Sequence, residues 1–487
     1  MLKTIIKKEI LEAFLSLRFA IAALLCLVLI PLGMYVNLKD YEKRLADYQE
    51  AVRLYQQRSE GNIVSDFQAW GYRPPSVLSI FSVGLEYFLP NKVVTSRGGS
   101  VRTSNEQGIN NPQSLLFGKV DLLFNVSFVI SLLAFVFTFS TITGEKEDGT
   151  LRLVMSNPVP RWQLLFAKIT GNYIVLLVPL LLSILIALIL LNTSGIVAIF
   201  SERILPAFLI VLFTTLLFIL AMFNLGILVS TLTHRSITSI VSLLFVWTVL
   251  VLSVPKISPM IAEILYPVKS DQVKDLQRLL IRENLEKEFD RKRRELYDKL
   301  AIEHGVDPGT VSTMARTEAE RKMRSVYAEG KKALEQEYEQ RINTEVGKIE
   351  QEYDNERNVQ ASIAMNLSRI SPVSCYSYVV SEISATGVLE MDNFAVSAQR
   401  FQTEVKANLY DKFIIKWFGG TGGASAWSTE YAKGFEPRKA PVPQLHYQHT
   451  TLSKALQAEW VDILLLVLFN IIFFAVAYAR FLRYDVR

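Results

Sequence analysis

Polar and apolar positions along this chain separate into blocks too long to be the faces of soluble helices. Apolar runs occupy 19–36, 121–143, 169–192, 204–232, 236–255 and 460–482. Each approaches the ~20 residues that a helix needs to cross a ~30 Å hydrocarbon layer. The pattern therefore predicts six membrane spans, the 204–232 run being long enough to tilt or protrude. Away from their ends the runs carry no Asp, Glu, Lys, Arg or His, which disfavours a self-powered, proton-coupled carrier.

Between the runs the periodicity changes. Over residues 1–18, Leu2, Ile5, Ile6, Ile10, Leu11 and Phe14 share one broad face, with Lys3, Lys7, Lys8, Glu9 and Glu12 on the rest. That spacing predicts an amphipathic helix lying in the lipid interface. Past the first run, Tyr41, Leu45, Tyr48, Val52 and Tyr55 recur at alternating spacings of four and three. This short seam predicts that the first span continues as one long helix into the region 37–120. The apolar stretch 77–89 is broken by Glu86 and two serines and is expected to form an interfacial or re-entrant helix rather than a seventh span.

The last long region, 256–459, opens with charged, Pro-free segments at 271–303 and 310–369, separated by His304-Gly-Val-Asp-Pro-Gly309 with Thr310 as an N-cap. Leu285, Phe289, Leu296 and Leu300 share a face in one arm, and Tyr338, Ile342, Val346, Ile349 and Tyr353 in the other. They predict an antiparallel coiled-coil hairpin over 271–369. From Ser371 the pattern weakens into a mixed segment with a glycine loop, 419–423, and a Pro-rich return, 437–443. The fold class expected is an all-α membrane protein with a large, mainly helical extracytoplasmic domain.

Composition agrees with a membrane protein: half of the 487 residues are hydrophobic and the mean hydropathy is +0.26. The Lys/Arg bias sets the orientation. Lys3, Lys7, Lys8 and Arg18, then Lys146, Arg152, Arg161 and Lys168, then Arg235, then Arg480, Arg483 and Arg487 all fall on one side of a six-span chain. That side is assigned to the cytoplasm of a bacterial inner-membrane protein, with both termini inside and the first span a retained anchor. A net charge of +5 gives no reason to invoke nucleic acid. Cys26 and Cys375 are too few for a disulfide framework.

Catalytic constellations are not visible, so no catalytic residue, metal site or cofactor is assigned to the chain. The glycine loop lacks the Lys-Ser/Thr ending of a P-loop, and His446-x-x-His449 has no third ligand. The remaining chemistry lies in the elbow 144–168. Glu145, Glu147 and Asp148 crowd below the second span, and Gly149 permits a sharp turn. Thr150 caps a short helix whose Leu151, Val154 and Met155 share a face, expected to be exposed as a small docking knob. Pro158 and Pro160 end it and Arg161 begins the next helix.

The elbow pattern Glu145-x-Glu147-x-Gly149-Thr150-Leu151, then Leu153-x-x-Ser156-x-Pro158-Val159-x-Arg161 and Lys168, resembles the cytoplasmic loop of type-2 ABC exporter permeases. The six-span layout and the N-terminal interfacial helix are similar too. The resemblance implies a permease subunit that docks through Glu145, Glu147, Asp148, Gly149, Thr150, Leu151, Leu153, Val154, Pro158 and Arg161 onto a separate P-loop ATPase, which holds the ATP and Mg. It also implies a second permease copy or paralogue, and Ile5, Ile6, Ile10 and Phe14 facing membrane lipid. The chain departs from the smallest members in its long first region and its insert of about 200 residues at 256–459. Two other readings stay open. One is a mechanical transmitter that drives an extracytoplasmic partner through 271–369, and the other is a membrane scaffold or sensor without an ATPase.

Overall fold

The computed structural model describes residues 2–66, 68–96, 101–105, 119–156, 160–197, 203–306, 317–407 and 444–483. Pro158, the residues 307–316 between the charged arms, the glycine loop and the Pro-rich return to 443 lie outside the described residues. The chain divides into two compact units, Met1–Pro255 with Arg369–Arg487, and Lys256–Ser368. Among the described residues, six helices are long and apolar enough to cross a membrane: Leu17–Gln57, Leu122–Glu147, Arg161–Thr193, Ile204–Leu232, Ser236–Leu265 and Leu452–Leu482. Helix is the natural outcome for such sequences, because in lipid every backbone N–H and C=O must be satisfied within the segment.

In the first unit, helix α1 (Leu2–Phe14) turns at Ser16, whose hydroxyl bonds Ala13 O at 2.6 Å, into α2 (Leu17–Asp66). At 50 residues α2 spans about 75 Å, so the first span runs on as one helix far past its apolar part. A three-stranded antiparallel sheet follows, β1 (Gln68–Tyr72), β2 (Lys92–Ser96) and β3 (Val101–Ser104), with Trp70 opposite Val94 and Val94 opposite Arg102. An all-α reading missed this sheet, whose strands are too short and too polar to show alternation.

The stretch 77–89 is not the expected helix. One 3-10 turn, Val77–Ile80, gives way to tight turns through Gly84, which has a φ of +47°. The reason is Glu86. It is buried between Arg44 of α2 (3.1 Å) and Arg73 (3.2 Å), an arrangement that anchors the segment to α2 rather than to lipid.

Helix α3 covers 122–138, with a π-helical stretch at Asn125–Ile130. Two short helices, α4 (Thr143–Glu147) and α5 (Thr150–Met155), lead to α6 (Arg161–Thr193), α7 (Ile204–Leu232) and α8 (Ser236–Leu265). The second unit contributes α9 (Asp271–Glu303) and α10 (Glu318–Ser368). Helices α11 (Pro372–Ile383), α12 (Val388–Val405) and α13 (Leu452–Leu482) complete the first unit.

Helix α7 is the centre of the bundle. Gly226 lets α3 approach so closely that a Cβ there would lie 1.9 Å from Thr138 Oγ1. On another side α13 is joined by Asn224 Nδ2 donating to Asn470 Oδ1 at 2.9 Å. Helix α11, in the segment that reads as patternless, is buried along most of its length. Its Tyr376 stacks on Phe218 at 4.7 Å and reaches the Thr215 hydroxyl of α7 at 3.0 Å. Asp462 of α13 corrects the picture of spans free of charge: it is fully buried and takes a two-pronged contact from Arg369, at 2.7 Å from Nη2.

In the second unit α9 and α10 run antiparallel. Tyr353 donates to Asp271 at 2.9 Å, Arg278 pairs with Glu350 at 2.9 Å, and Tyr338 donates to Glu288 at 2.8 Å. Leu285, Leu300, Tyr338 and Val346 are buried, while Phe289, Leu296, Ile342, Ile349 and Tyr353 are half-buried. Exposed polar clamps therefore share the seam with its apolar residues.

Candidate functional site

The elbow begins where α3 gives out at Thr138 and the chain resumes as α4 at Thr143, after four intervening residues. Such a break orphans backbone groups, and one side chain of α7 gathers them. Ser230 Oγ accepts from the N–H of Ile142 (3.1 Å) and Thr143 (3.2 Å) and donates to Phe139 O at 3.1 Å. Lys146 then donates to Thr231 O (2.7 Å) and Thr233 O (2.9 Å) at the C-terminus of α7, where the helix dipole favours a cation. At Gly149, φ is +68° with open space around it. Its requirement is conformational rather than steric, as the sequence suggested.

Helix α5 turns its apolar face inward. Leu151 is 0% exposed in a cluster with Ile142, Leu164, Leu165, Ile169, Ile227, Ala477 and Phe481, against which Val154, Met155 and Ile5 also pack. The face expected to be the exposed knob is thus the elbow's root, because the bundle beside it offers more apolar area than water does. Leu153, 71% exposed, is the apolar side chain on the outward face, beside exposed Glu147, Asp148, Gly149, Thr150 and Arg152.

The flanking charges are roots as well. Arg161 donates to the carbonyls of Phe481 and Leu482, the last turn of α13. Glu147 accepts from Ser236 at the start of α8, at 2.5 Å. Lys168, 2% exposed, lies between Glu145 (2.7 Å) and Glu9 of α1 (3.0 Å). Gly171, one turn on, makes room for that contact, since a Cβ there would stand 2.6 Å from Glu9 Cβ. Sequence reading took Lys168 for one more positive flank; the small residue three positions later was the available signal.

The N-terminal helix accordingly does not present a uniform apolar face to lipid. Ile5 and Ile10 pack into the bundle and Ile6 is half-buried, whereas Leu11, Phe14, Leu15 and Leu17 are exposed. Of the two candidate histidines, His446 is exposed and His449 Nδ1 contacts Glu390 at 2.5 Å. Glu390 is fully buried in α12 and also accepts from Tyr447 (2.6 Å) and from the N–H (3.0 Å) and hydroxyl (2.8 Å) of Thr450. Burial alone would raise its pKa, but His449, Tyr447 and Thr450 outweigh it and bring it down to about 2. This is a structural clasp on the segment that returns to α13.

The elbow is thus a short, turn-limited helix whose buried side is tied into α1, α6, α7, α8 and α13, with a small mixed surface facing outward. No curated protein matches the chain. The pattern of the family described as ABC-2 family transporter protein matches residues 3–486. This multi-pass membrane protein belongs to that family and is the permease subunit of an ABC transporter, a class that works with an ATPase and often as a permease pair.

Proposed function

We propose that the permease is an exporter driven through the elbow. A separate ATPase, carrying the ATP and Mg, docks on the outward surface made by Glu147, Asp148, Thr150, Arg152 and Leu153, and its closure moves the elbow. The observation that carries this reading is the division of the elbow's two sides. The outward side is exposed, and the inward side is fixed to three spans, α6, α7 and α13, and to α1 through Leu151, Lys146, Arg161 and Lys168. A load on such a surface cannot be absorbed locally.

The Lys/Arg bias supports an inner-membrane orientation with elbow and termini in the cytoplasm. Exposed Leu11, Phe14, Leu15 and Leu17 suit contact with lipid. Co-purification of the permease with the P-loop ATPase encoded beside it tests docking. Leu153→Asp is expected to release the ATPase at least tenfold more readily while leaving the permease folded; full retention with unchanged ATP hydrolysis refutes docking at this surface.

A second reading, a transmitter working an extracytoplasmic partner, is favoured by the continuity of α2 from the first span to Asp66. Deleting 273–362 separates the two. A transporter keeps ATPase coupling and passage, and a transmitter loses its output.

A further inference from the structure

At the end of α13 remote from the elbow, three buried carboxyl groups gather beside one half-buried guanidinium. Glu459 lies 22 residues before Phe481, about 33 Å along the helix from the last turn that Arg161 caps. It sits one turn before Asp462 and is 4% exposed. Asp462 is already served by Arg369, which grips both of its oxygens. Glu459 Oε2 is buried with no partner among the described residues. Across from it on α11 stands Glu382, 6% exposed, with its own Oε2 equally unpartnered and close enough for its charge to act on Glu459.

The other oxygen of Glu382 caps α12 by accepting from Leu389 N at 3.2 Å. Glu382 also feels the negative charges of Glu390 and Asp392, and Cys375, the remaining titratable group beside Asp462, is buried on α11. The charges do not balance. One Arg faces three carboxyl groups, and an unpaired buried carboxylate costs several kcal/mol, which a group avoids by binding a proton. Among the described residues no group of three His, Cys, Asp or Glu is arranged to hold a metal ion.

We propose that Glu459 is a proton-binding residue. Its carboxyl group is held protonated while α11 is seated on α13 and ionises when that seat opens, so that proton activity at this end of the bundle biases the permease toward the seated arrangement. Burial raises the neighbouring Glu382 to about 7, which places that group in the same neutral form in mildly acidic conditions.

The test uses the full-length permease in nanodiscs and does not depend on the ATPase or on docking at the elbow. Between pH 6 and 8 the wild type is expected to lose stability as pH rises, the unfolding equilibrium constant increasing by up to about tenfold per pH unit for one released proton. Glu459→Gln, a near-isostere of the protonated acid, is expected to melt with wild type at pH 6 and to keep only the pH dependence that Glu382 carries, whereas Glu459→Gln/Glu382→Gln loses nearly all of it and Glu382→Gln alone does not. In a Glu382→Gln background, which removes that group's own carbonyl, Glu459→Gln is also expected to abolish the infrared band of a buried protonated carboxyl, which Glu283→Gln on the exposed face of α9 retains. The proposal is overturned if Glu459→Gln melts well below wild type at pH 6, or if adding it to Glu382→Gln leaves the pH dependence or the carbonyl band unchanged.

Discussion

Lys168 is where the reasoning about the elbow can be broken most directly. Its ammonium is buried between Glu145 at 2.7 Å and Glu9 at 3.0 Å, and Glu145 Oε2 is buried without a further partner. Lys168→Met keeps the aliphatic stem but leaves two partly buried carboxylates facing each other. Removing one member of a buried ion pair costs about 3–5 kcal/mol, most of it the stranded charge rather than the lost attraction. Replacing all members by neutral groups of similar shape is often close to neutral. The triple variant Lys168→Met/Glu9→Gln/Glu145→Gln should therefore recover most of what the single one loses. Glu9→Gln alone should cost less, since Lys168 keeps its shorter pair with Glu145. Equilibrium unfolding in mixed micelles gives the stabilities. ATPase stimulation in the reconstituted complex should fall in the single variant, because α1 and the elbow no longer move together. A loss under about 1 kcal/mol for Lys168→Met, or a triple variant no better than the single, would refute the hub.

Other outcomes follow from the same geometry. Leu151→Asp places a charge in the closed cluster of α5, α6 and α13 and should destabilise by about 3 kcal/mol or more, whereas Leu153→Asp should change the melting point little; thermal scans of the isolated permease separate them. Gly226→Ala drives a Cβ into Thr138 and should cost about 1–3 kcal/mol, partly restored by Thr138→Ala in the same chain. Glu390 has a folded pKa of about 2 against an ordinary glutamate value of 4.5, so its contribution of about 3 kcal/mol is present above pH 4.5 and lost as pH falls toward 2. Glu390→Gln should remove that acid sensitivity, read as the difference in melting point between pH 5 and pH 3.

The spans, the elbow's turn at Gly149 and the long α2 were legible because each depends on a local property. Those properties are the length of an apolar run, freedom at positive φ, and a period that continues past the membrane. What stayed hidden depends on partners distant in sequence. Leu151, Val154 and Met155 had the spacing of an amphipathic face, yet spacing alone does not say whether the bundle or a partner covers that face. Glu86 read as an interruption of an apolar stretch, and only Arg44 and Arg73, 42 and 13 residues away, make it a buried anchor. Helix α11 showed no period because both of its sides are covered, by α7 on one and α13 on the other. The same holds for Lys168, whose partners are 159 and 23 residues away.

These hidden contacts share a physical logic that bears on coupling. An elbow helix of six residues, α5, is too short to be stable alone, so its position is set entirely by what it is tied to. Lys146 ties it to the end of α7, Glu147 to the start of α8, Arg161 to the end of α13, and Glu145 through Lys168 to α1. Each tie meets a helix terminus or a buried charge, where releasing it would strand a carbonyl or a carboxylate. Moving the elbow while breaking those ties would cost several kcal/mol at once; moving it with the ties intact costs only the repacking of helices that slide together. The lower-cost motion carries α1, α6 and the ends of α7 and α13 as one body, and α13 is the helix whose far end holds Glu459. On the function and the inference proposed above, a push at the elbow and a proton at the far end of α13 would therefore act on the same helix.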